Sequence, residues 1–319
     1  MKTLFSKIRR RQSFNKQSIY LNNLKNFSIN ANNINIDFIK LTNENKEDNF
    51  YIKNAPNSEA IKQMKTILEN DGILQIDNLL DEQTTEVYAS LYSKFLSKEI
   101  NAESHRHDLG SFKESKDNKE NVCQIMWPSL YINSLLEGPL HQRTKYLSKV
   151  FFGKDMEFDF DMLIYKSAHS STEFPWHQDE GYWTKSGKIQ FTDLRGLSFW
   201  VALNDATLEN GCMWYAPGTH KHGLFKHKEV KEGHHTIVVQ DADDLINNTK
   251  KPYQIKKGSV LVSNGRVLHY SGPNISDNER KAFIINYRPI EVINYMRQNG
   301  FDHGKSGLHN LGIDNIKKL

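Results

Sequence analysis

The spacing of apolar residues changes character near the middle of the chain. In the first half they recur every three or four positions, as Val87, Leu91 and Phe95 do behind Asp81, a suitable helix cap. This period predicts three helices, over 58–72, from residue 81 onward, and within 134–152, where Pro139 marks either a start or a break. A short apolar run at 73–76 indicates one early strand.

From residue 156 onward, apolar residues alternate with other residues, which is the period of a β-strand. Phe158, Phe160, Met162 and Ile164 show this alternation. Further strands are predicted at 196–204, 211–216, 236–240, 259–263 and 281–288. Helices followed by many short strands with polar turns predict a mainly β fold with flanking helices, of the β-sandwich or jelly-roll kind, rather than a βαβ fold.

The N-terminal segment differs in composition from the rest. Residues 1–36 carry seven Lys or Arg and no Asp or Glu, and Asn is frequent up to residue 50. We therefore predict a basic, Asn-rich extension over 1–50 and a single domain with a C-terminal tail over 51–319. For residues 1–16 a basic tail is the favoured interpretation. A transit peptide and a helix lying on an anionic membrane surface are the alternatives.

Charge and cysteine content narrow the class of protein further. The net charge is +4, of which residues 1–36 contribute +7, so residues 37–319 sum to −3 and nucleic-acid binding is not expected. No apolar run is long enough to predict a transmembrane helix. Cys123 and Cys212 lack metal-ligand spacing and are expected to be reduced core residues, which favours a cytoplasmic location.

The segment FPWHQDEGYW carries the chemistry that stands out most. Because alternate side chains of a strand leave the same face, His177 and Asp179 could reach one metal ion. A second histidine completes the two-imidazole, one-carboxylate set typical of non-haem iron(II) sites, and His269, just after the predicted strand 259–263, is our candidate. Other downstream histidines compete for this role, namely His220, His222, His227, His234 and His235.

Two residues near His269 are suited to binding a carboxylate. Arg280 immediately precedes the predicted strand 281–288, and a guanidinium binds a carboxylate through two parallel hydrogen bonds. Ser271 could add a hydroxyl to the same group. Zinc also accepts two imidazoles and a carboxylate, as in some hydrolases, but a hydrolase has no reason to place this pair there.

Three segments together resemble the phytanoyl-CoA dioxygenase (PhyH) family of iron(II) and 2-oxoglutarate oxygenases. They are WHQDEGYW (176–183), FWVALNDATLENGCMWYAPGTHKHG (199–223) and HYSGPNISDNERKAFIINYR (269–288). The resemblance implies a double-stranded β-helix (jelly roll, cupin-like) with His177, Asp179 and His269 as iron ligands. It also implies a cosubstrate pocket in which Arg280 and Ser271 bind the C5 carboxylate of 2-oxoglutarate, lined by Trp200, Met162 and Gln124.

The same resemblance implies the reaction. We expect Fe(II), 2-oxoglutarate and O2, supported by ascorbate, to hydroxylate an unactivated C–H of a small-molecule or lipid- or glycan-type substrate, with no catalytic residue beyond the metal ligands. Gln178, Tyr182 and Trp183 flank the motif and are expected at the substrate pocket, with sheet packing as the alternative for the two aromatic residues. The alternative functions are desaturation, cyclisation or epimerisation with the same cofactors, and a jelly-roll metal-binding protein without oxygenase activity.

Overall fold

The computed structural model describes residues 58–109, 120–183, 193, 195–230 and 236–306. In the N-terminal segment it describes only the backbone of four short strands, β1 (Phe27–Ile29), β2 (Ile34–Ile36), β3 (Leu41–Thr42) and β4 (Tyr51–Ile52). Residues 1–16, to which we assigned a basic tail, lie outside the described residues. The division into an extension and a single domain stays a prediction.

Seven α-helices occur in the described residues. They are α1 (Ser58–Asp71), α2 (Glu82–Leu96), α3 (Pro128–Tyr131), α4 (Pro139–Phe152), α5 (Glu180–Trp183), α6 (Asp243–Thr249) and α7 (Ile290–Gln298). The Asp81 side chain caps α2 by accepting a hydrogen bond from the Thr84 N–H at 2.8 Å. Pro139 starts α4 rather than breaking it, and Gly153 ends it. None of these helices is long and apolar enough to cross a bilayer.

A seven-stranded antiparallel sheet forms the larger layer. Its order is β5 (Ile73–Ile76), β15 (Val260–Asn264), β10 (Leu197–Ala202), β17 (Arg280–Pro289), β8 (Met156–Lys166), β7 (Val122–Met126) and β6 (Arg106–Asp108). The second antiparallel sheet has the order β14 (Lys251–Tyr253), β11 (Met213–Ala216), β16 (Leu268–Ser271) and β9 (Phe174–His177). A separate hairpin pairs β12 (His227–Glu229) with β13 (Ile237–Val239).

The larger sheet is buried on both faces, and strand β10 shows how. Phe199 and Val201 join a core formed with α1, α2 and α4, whereas Trp200 and Ala202 join a second core shared with β11 of the smaller sheet. Because side chains alternate across a strand, a continuous apolar run can serve both cores at once. The space between the two sheets therefore receives every second residue of the larger sheet.

The predicted fold class, mainly β with flanking helices and of the jelly-roll type, is confirmed. All three predicted helices are present, and both cysteines are free and buried. His269 lies after the predicted strand at 259–263, as expected, and is part of a further strand, β16. One detail of the strand predictions was wrong, because Asp179 lies beyond the end of β9. The strand β7, which carries Gln124, was not predicted.

Candidate metal centre

Strands β9 and β16 bring the two predicted imidazoles side by side. His177 and His269 are direct register partners, and their ring centroids are 4.2 Å apart. The chain turns towards α5 after His177, and the Asp179 Oδ1 atom lies 3.4 Å from His269 Nε2 and 4.0 Å from His177 Nε2. One donor atom from each of the three side chains lies within 4.8 Å of the others. This is the size of a single-ion site.

Backbone carbonyls orient both imidazoles. His177 Nδ1 is 2.7 Å from the Pro175 carbonyl oxygen, and His269 Nδ1 is 3.1 Å from the Val267 carbonyl oxygen. A carbonyl oxygen can only accept, so each Nδ1 carries the proton and donates. In the neutral ring the Nε2 lone pair is then free and faces the cluster, which is the tautomer that a metal ligand requires.

The charges of the three groups compete in the protein without metal. Burial and the neighbouring His269 lower the pKa of His177 to about 3. For Asp179, burial opposes ionisation, but His269 and His177 lower the carboxyl pKa overall. For His269, burial opposes protonation, yet the charge of Asp179 and its hydrogen bond raise the imidazole pKa. A carboxylate facing two imidazoles in a buried cluster is suited to a cation.

Two of the competing histidines are held by other contacts. His220 Nε2 contacts the Glu69 carbonyl oxygen, and His227 Nε2 accepts a hydrogen bond from the Gln178 N–H at 3.1 Å. His234 and His235 lie outside the described residues. Within the part of the chain that the structure describes, His177, Asp179 and His269 are the one group of three potential metal ligands of this compactness.

Arg280 lies at the end of the larger sheet and is almost completely buried, with 1% of its surface exposed. Its Nη1 donates to the Gly211 carbonyl oxygen at 2.6 Å, and its guanidinium carbon lies 5.4 Å from the Trp200 ring centroid. Its Nε has no hydrogen-bond partner among the described residues. Burial lowers the pKa of Arg280 to about 10, but the group is still a cation at neutral pH. A buried cation that has no counterion among the described residues is suited to binding an anion.

The remaining predicted cosubstrate residues lie on strands of both sheets. Ser271 is two residues along β16 from His269 and is buried. Met162 packs against the core that contains Trp200. Gln124, on the neighbouring strand β7, directs its Nε2 at the Met162 sulfur, 3.1 Å away. The structure therefore brings Ser271, Met162 and Trp200 into the space between the sheets, with Gln124 against Met162.

The three residues predicted at the substrate pocket have different surroundings. The Tyr182 ring meets the His177 ring edge-on at 5.5 Å, next to the metal cluster. The side chain of Trp183 lies outside the described residues. The side chain of Gln178 is fully buried and donates to the carbonyl oxygens of Gly223 and Arg266, and its place at the substrate pocket stays a prediction.

Two functional candidates were not predicted from the sequence. The Tyr215 ring stacks on the His269 ring at 5.5 Å, and its hydroxyl is hydrogen-bonded to Ser263 on the larger sheet. Lys166 ends β8 as the register partner of Arg280. The alternation along β8 could have identified Lys166, because Met162, Ile164 and Lys166 are alternate residues and therefore share one face of that strand.

The protein is a jelly roll of two antiparallel sheets with a three-ligand cluster and a buried cation between them. This arrangement fits the family that the sequence motifs resemble. The chain belongs to the phytanoyl-CoA dioxygenase (PhyH) family, whose sequence model matches residues 68–282. That interval begins within α1 and ends within β17, so it includes the predicted metal ligands and Arg280.

Individual relatives show how far the similarity extends. The phytanoyl-CoA dioxygenase domain-containing protein 1 of Rattus norvegicus is 32% identical over 127 residues, which cover 38% of this chain and 41% of the relative. The chain thus matches about two fifths of that protein's length. The solved structure of EvdO2 from Micromonospora carbonacea var. aurantiaca, complexed with 2-oxoglutarate, is similar with a TM-score of 0.56 and 22% identity, covering 70% of this chain and 89% of that one.

A second solved structure shares the fold. SnoN, described as a non-haem, α-ketoglutarate-dependent epimerase from nogalamycin biosynthesis, is similar with a TM-score of 0.52 and 18% identity. The similarity covers 72% of this chain and 83% of SnoN. At this level of identity, both structural likenesses establish the fold and leave the reaction to be argued from the site.

Proposed function

We propose that this protein is an iron(II)- and 2-oxoglutarate-dependent dioxygenase that hydroxylates a C–H bond of a small-molecule substrate. The proposal rests on one arrangement. Two imidazoles and a carboxylate converge within 4.8 Å. Ser271, on the same strand as His269, lies 3.1 Å from Lys166, the register partner of a buried Arg280 that forms no ion pair with a described carboxylate. A metal site combined with a separate carboxylate site is what a chelating 2-oxo dicarboxylate requires.

The donor set fits ferrous iron. Two imidazole nitrogens and one carboxylate oxygen form the facial triad of non-haem iron(II) oxygenases, which leaves coordination positions for ligands from outside the protein. His177, Asp179 and His269 would hold the ion, and the Pro175 and Val267 carbonyls would fix the two rings. When bound, ferrous iron with 2-oxoglutarate supplies the oxidising chemistry that consumes O2, releases succinate and CO2, and hydroxylates the substrate.

The rest of the site would orient the cosubstrate and exclude water. Arg280 and Ser271 would bind the far carboxylate of 2-oxoglutarate, with the Trp200 ring beside the guanidinium. Tyr182 packs with Met126, Trp127 and Phe160 on one side and meets His177 on the other, so an aromatic wall separates the cluster from solvent there. No general acid or base is needed, because the side chains only bind, orient and shield.

Outcomes other than hydroxylation depend on how the substrate lies against the metal. SnoN is described as an epimerase, so epimerisation occurs on this fold. We propose hydroxylation as the outcome for this chain, and analysis of the oxidised substrate tests it.

The direct test is succinate formation from 2-oxoglutarate by the purified protein with Fe(II), ascorbate and O2. We expect turnover in the wild type and its loss in His269→Ala and Arg280→Met. His169→Ala is the matched control, since the His169 ring is exposed and contacts Asp277 at 2.9 Å, away from the cluster. Equal succinate release by all four proteins would refute the proposal. Transfer of one 18O atom from 18O2 into a candidate substrate would identify hydroxylation.

A further inference from the structure

Lys166 is a fully buried lysine in contact with the proposed cosubstrate pocket. Its side chain has no exposed surface, and it is the direct register partner of Arg280 on the neighbouring strand. The ammonium group donates to the Ser271 hydroxyl oxygen at 3.1 Å and to the Gly272 carbonyl oxygen. A lysine is rarely buried unless a partner compensates its charge, so a fully buried lysine at this position indicates a specific role.

Neither of the two neighbouring basic groups, Lys166 and Arg280, has a counterion inside the described part of the chain. Arg280 donates to a carbonyl oxygen, and Lys166 donates to a hydroxyl and a carbonyl oxygen. The nearest acidic group, Glu173, accepts a hydrogen bond from the Tyr270 hydroxyl at 2.6 Å and forms no ion pair with Lys166. Cys212 is also close, but burial raises the pKa of its thiol to about 11, so it is neutral. An anionic ligand would supply a counterion for both groups.

The hydrogen bond from Lys166 also determines what Ser271 can do. Once the Ser271 oxygen accepts from an ammonium group, the hydroxyl hydrogen is free to be donated elsewhere. Because Lys166 is fully covered, it does not touch a ligand directly and acts through Ser271. The turn at Gly211 closes over this pair, since a Cβ there would lie 2.6 Å from the Gly272 carbonyl oxygen and 3.4 Å from Lys166 Cδ.

We infer that Lys166 is a positioning residue for the carboxylate at the far end of a 2-oxo dicarboxylate. It turns Ser271 into a hydrogen-bond donor towards that carboxylate and adds a second positive charge behind it. Lys166 thereby makes the pocket selective for a dicarboxylate over a monocarboxylate 2-oxo acid of the same length. This inference rests on the proposed function, because it concerns the same cosubstrate.

The electrostatics of the ligand-free pocket agree with this role. Burial and the neighbouring Arg280 lower the pKa of Lys166 to about 6, against a smaller opposing effect of Glu173. A carboxylate bound next to Ser271 would favour the charged ammonium form. Lys166 is therefore largely neutral at neutral pH in the ligand-free pocket, and a bound anion would favour its protonation.

The test compares two ligands that differ only at the far end. The probes are 2-oxoglutarate and 2-oxopentanoate, which has the same five-carbon chain with a methyl group in place of the far carboxylate. Equilibrium binding is measured anaerobically on the Fe(II)-loaded protein by titrating the visible charge-transfer absorption of the chelated 2-oxo acid. The variants are Lys166→Met, Lys166→Gln, Ser271→Ala and the double variant Lys166→Met/Ser271→Ala. Lys256→Met is the control, because Lys256 is exposed and paired with Asp205.

We expect Lys166→Met to weaken 2-oxoglutarate binding about 10- to 100-fold, the value of a hydrogen bond to a charged group, and to leave 2-oxopentanoate binding unchanged. Lys166→Gln keeps a donor to Ser271 and should recover part of the loss. The double variant should bind 2-oxoglutarate about as tightly as whichever single variant has the lower affinity, because Lys166 acts through Ser271. Lys256→Met should bind both ligands like the wild type.

Equal weakening for both ligands in Lys166→Met would indicate a merely structural role and overturn the inference, as would unchanged affinity for 2-oxoglutarate. Thermal unfolding of each ligand-free variant checks the fold. If Lys166→Met does not fold, the ligand discrimination of Lys166→Gln decides by the same criterion. A wild type that binds no 2-oxoglutarate would overturn the proposed function together with this inference. A wild type that binds it with Lys166→Met unaffected would overturn the inference alone.

Discussion

Replacing Arg280 by methionine should separate the stability of the protein from its affinity for the proposed cosubstrate. Arg280 is buried with one hydrogen bond, to the Gly211 carbonyl oxygen, and forms no ion pair with a described carboxylate. Its charge therefore lacks compensation in the ligand-free protein. Methionine has a similar length, fills the space and removes that charge.

Two contributions to the stability of Arg280→Met, the loss of the buried charge and the loss of the donor to the Gly211 carbonyl oxygen, are opposite in sign and similar in size. Replacing a buried ionic group by a hydrophobic one is often neutral or stabilising by about 1–4 kcal/mol. Leaving the Gly211 carbonyl oxygen without its donor costs about 1–3 kcal/mol. We therefore expect the ligand-free variant to be as stable as the wild type within about 1 kcal/mol. Losing two charge-assisted hydrogen bonds to a carboxylate costs about 3–6 kcal/mol, which corresponds to a loss of affinity of about 10²- to 10⁴-fold.

Thermal unfolding with and without ligand measures both effects in one experiment. At 100 times the dissociation constant, 2-oxoglutarate should stabilise the metal-loaded wild type by about 2.7 kcal/mol, a shift in melting temperature of several degrees. At the same concentration, Arg280→Met should be stabilised by about 0.4 kcal/mol at most, because an affinity weaker by about 10²-fold already brings the dissociation constant up to that concentration. Arg195→Met is the control, since Arg195 is partly exposed and paired with Asp155 and Asp193. A full ligand-induced shift in Arg280→Met would refute the assignment of this residue to the carboxylate.

Three further substitutions test how the site is supported. Gly211→Ala should lower the melting temperature and weaken 2-oxoglutarate binding in the same titration, because Gly211 has φ +80° and a Cβ would lie 2.6 Å from the Gly272 carbonyl oxygen. Asp159→Asn should cost about 3–5 kcal/mol in urea unfolding, since this buried carboxylate pairs with Arg288, Arg297 and His303. Burial alone would raise the pKa of Asp159, but these partners lower it overall, so the advantage over Asp159→Asn should be complete above about pH 4 and shrink as the pH falls further. Gln178→Ala should lower stability by about 1–3 kcal/mol, measured by the same unfolding, because the carbonyls that it binds would lose their donors. An unchanged stability would contradict this structural role and favour the predicted place of Gln178 at the substrate pocket.

Periodicity was enough to predict most of the fold. The alternation at 158–164 predicts β8, and the helical spacing around Val87 and Leu91 predicts α2, because both signals come from local burial. The same local signals missed β7, where Val122, Cys123, Ile125 and Met126 are all buried and no alternation remains. A strand covered on both faces resembles any short apolar run, so only its partners on either side identify it.

The candidate site was partly predictable for a different reason. His177, Asp179, His269 and Arg280 were named from side-chain chemistry and family motifs, which carry information about residues far apart in the chain. The structure brings the first three together, although Asp179 reaches the cluster from a turn and not from the strand on which the prediction relied. Lys166 escaped prediction because its significance depends on its register with Arg280, across 114 positions of sequence.

The two sheets divide the proposed chemistry between them. The smaller sheet carries both imidazoles on adjacent strands, and the larger sheet carries Arg280 and Lys166 on adjacent strands. Two contacts join the sheets at these levels: Tyr215 stacks on His269 and bonds Ser263, and Lys166 bonds Ser271. A chelated 2-oxo acid with a far carboxylate would bind the metal on the smaller sheet and Arg280 on the larger sheet at the same time. A shift of one sheet against the other would therefore weaken its binding even with every binding residue intact. Tyr215 and Lys166, which hold the sheets in register, should therefore also affect the affinity for the dicarboxylate, although less than Arg280, which would bind the carboxylate directly.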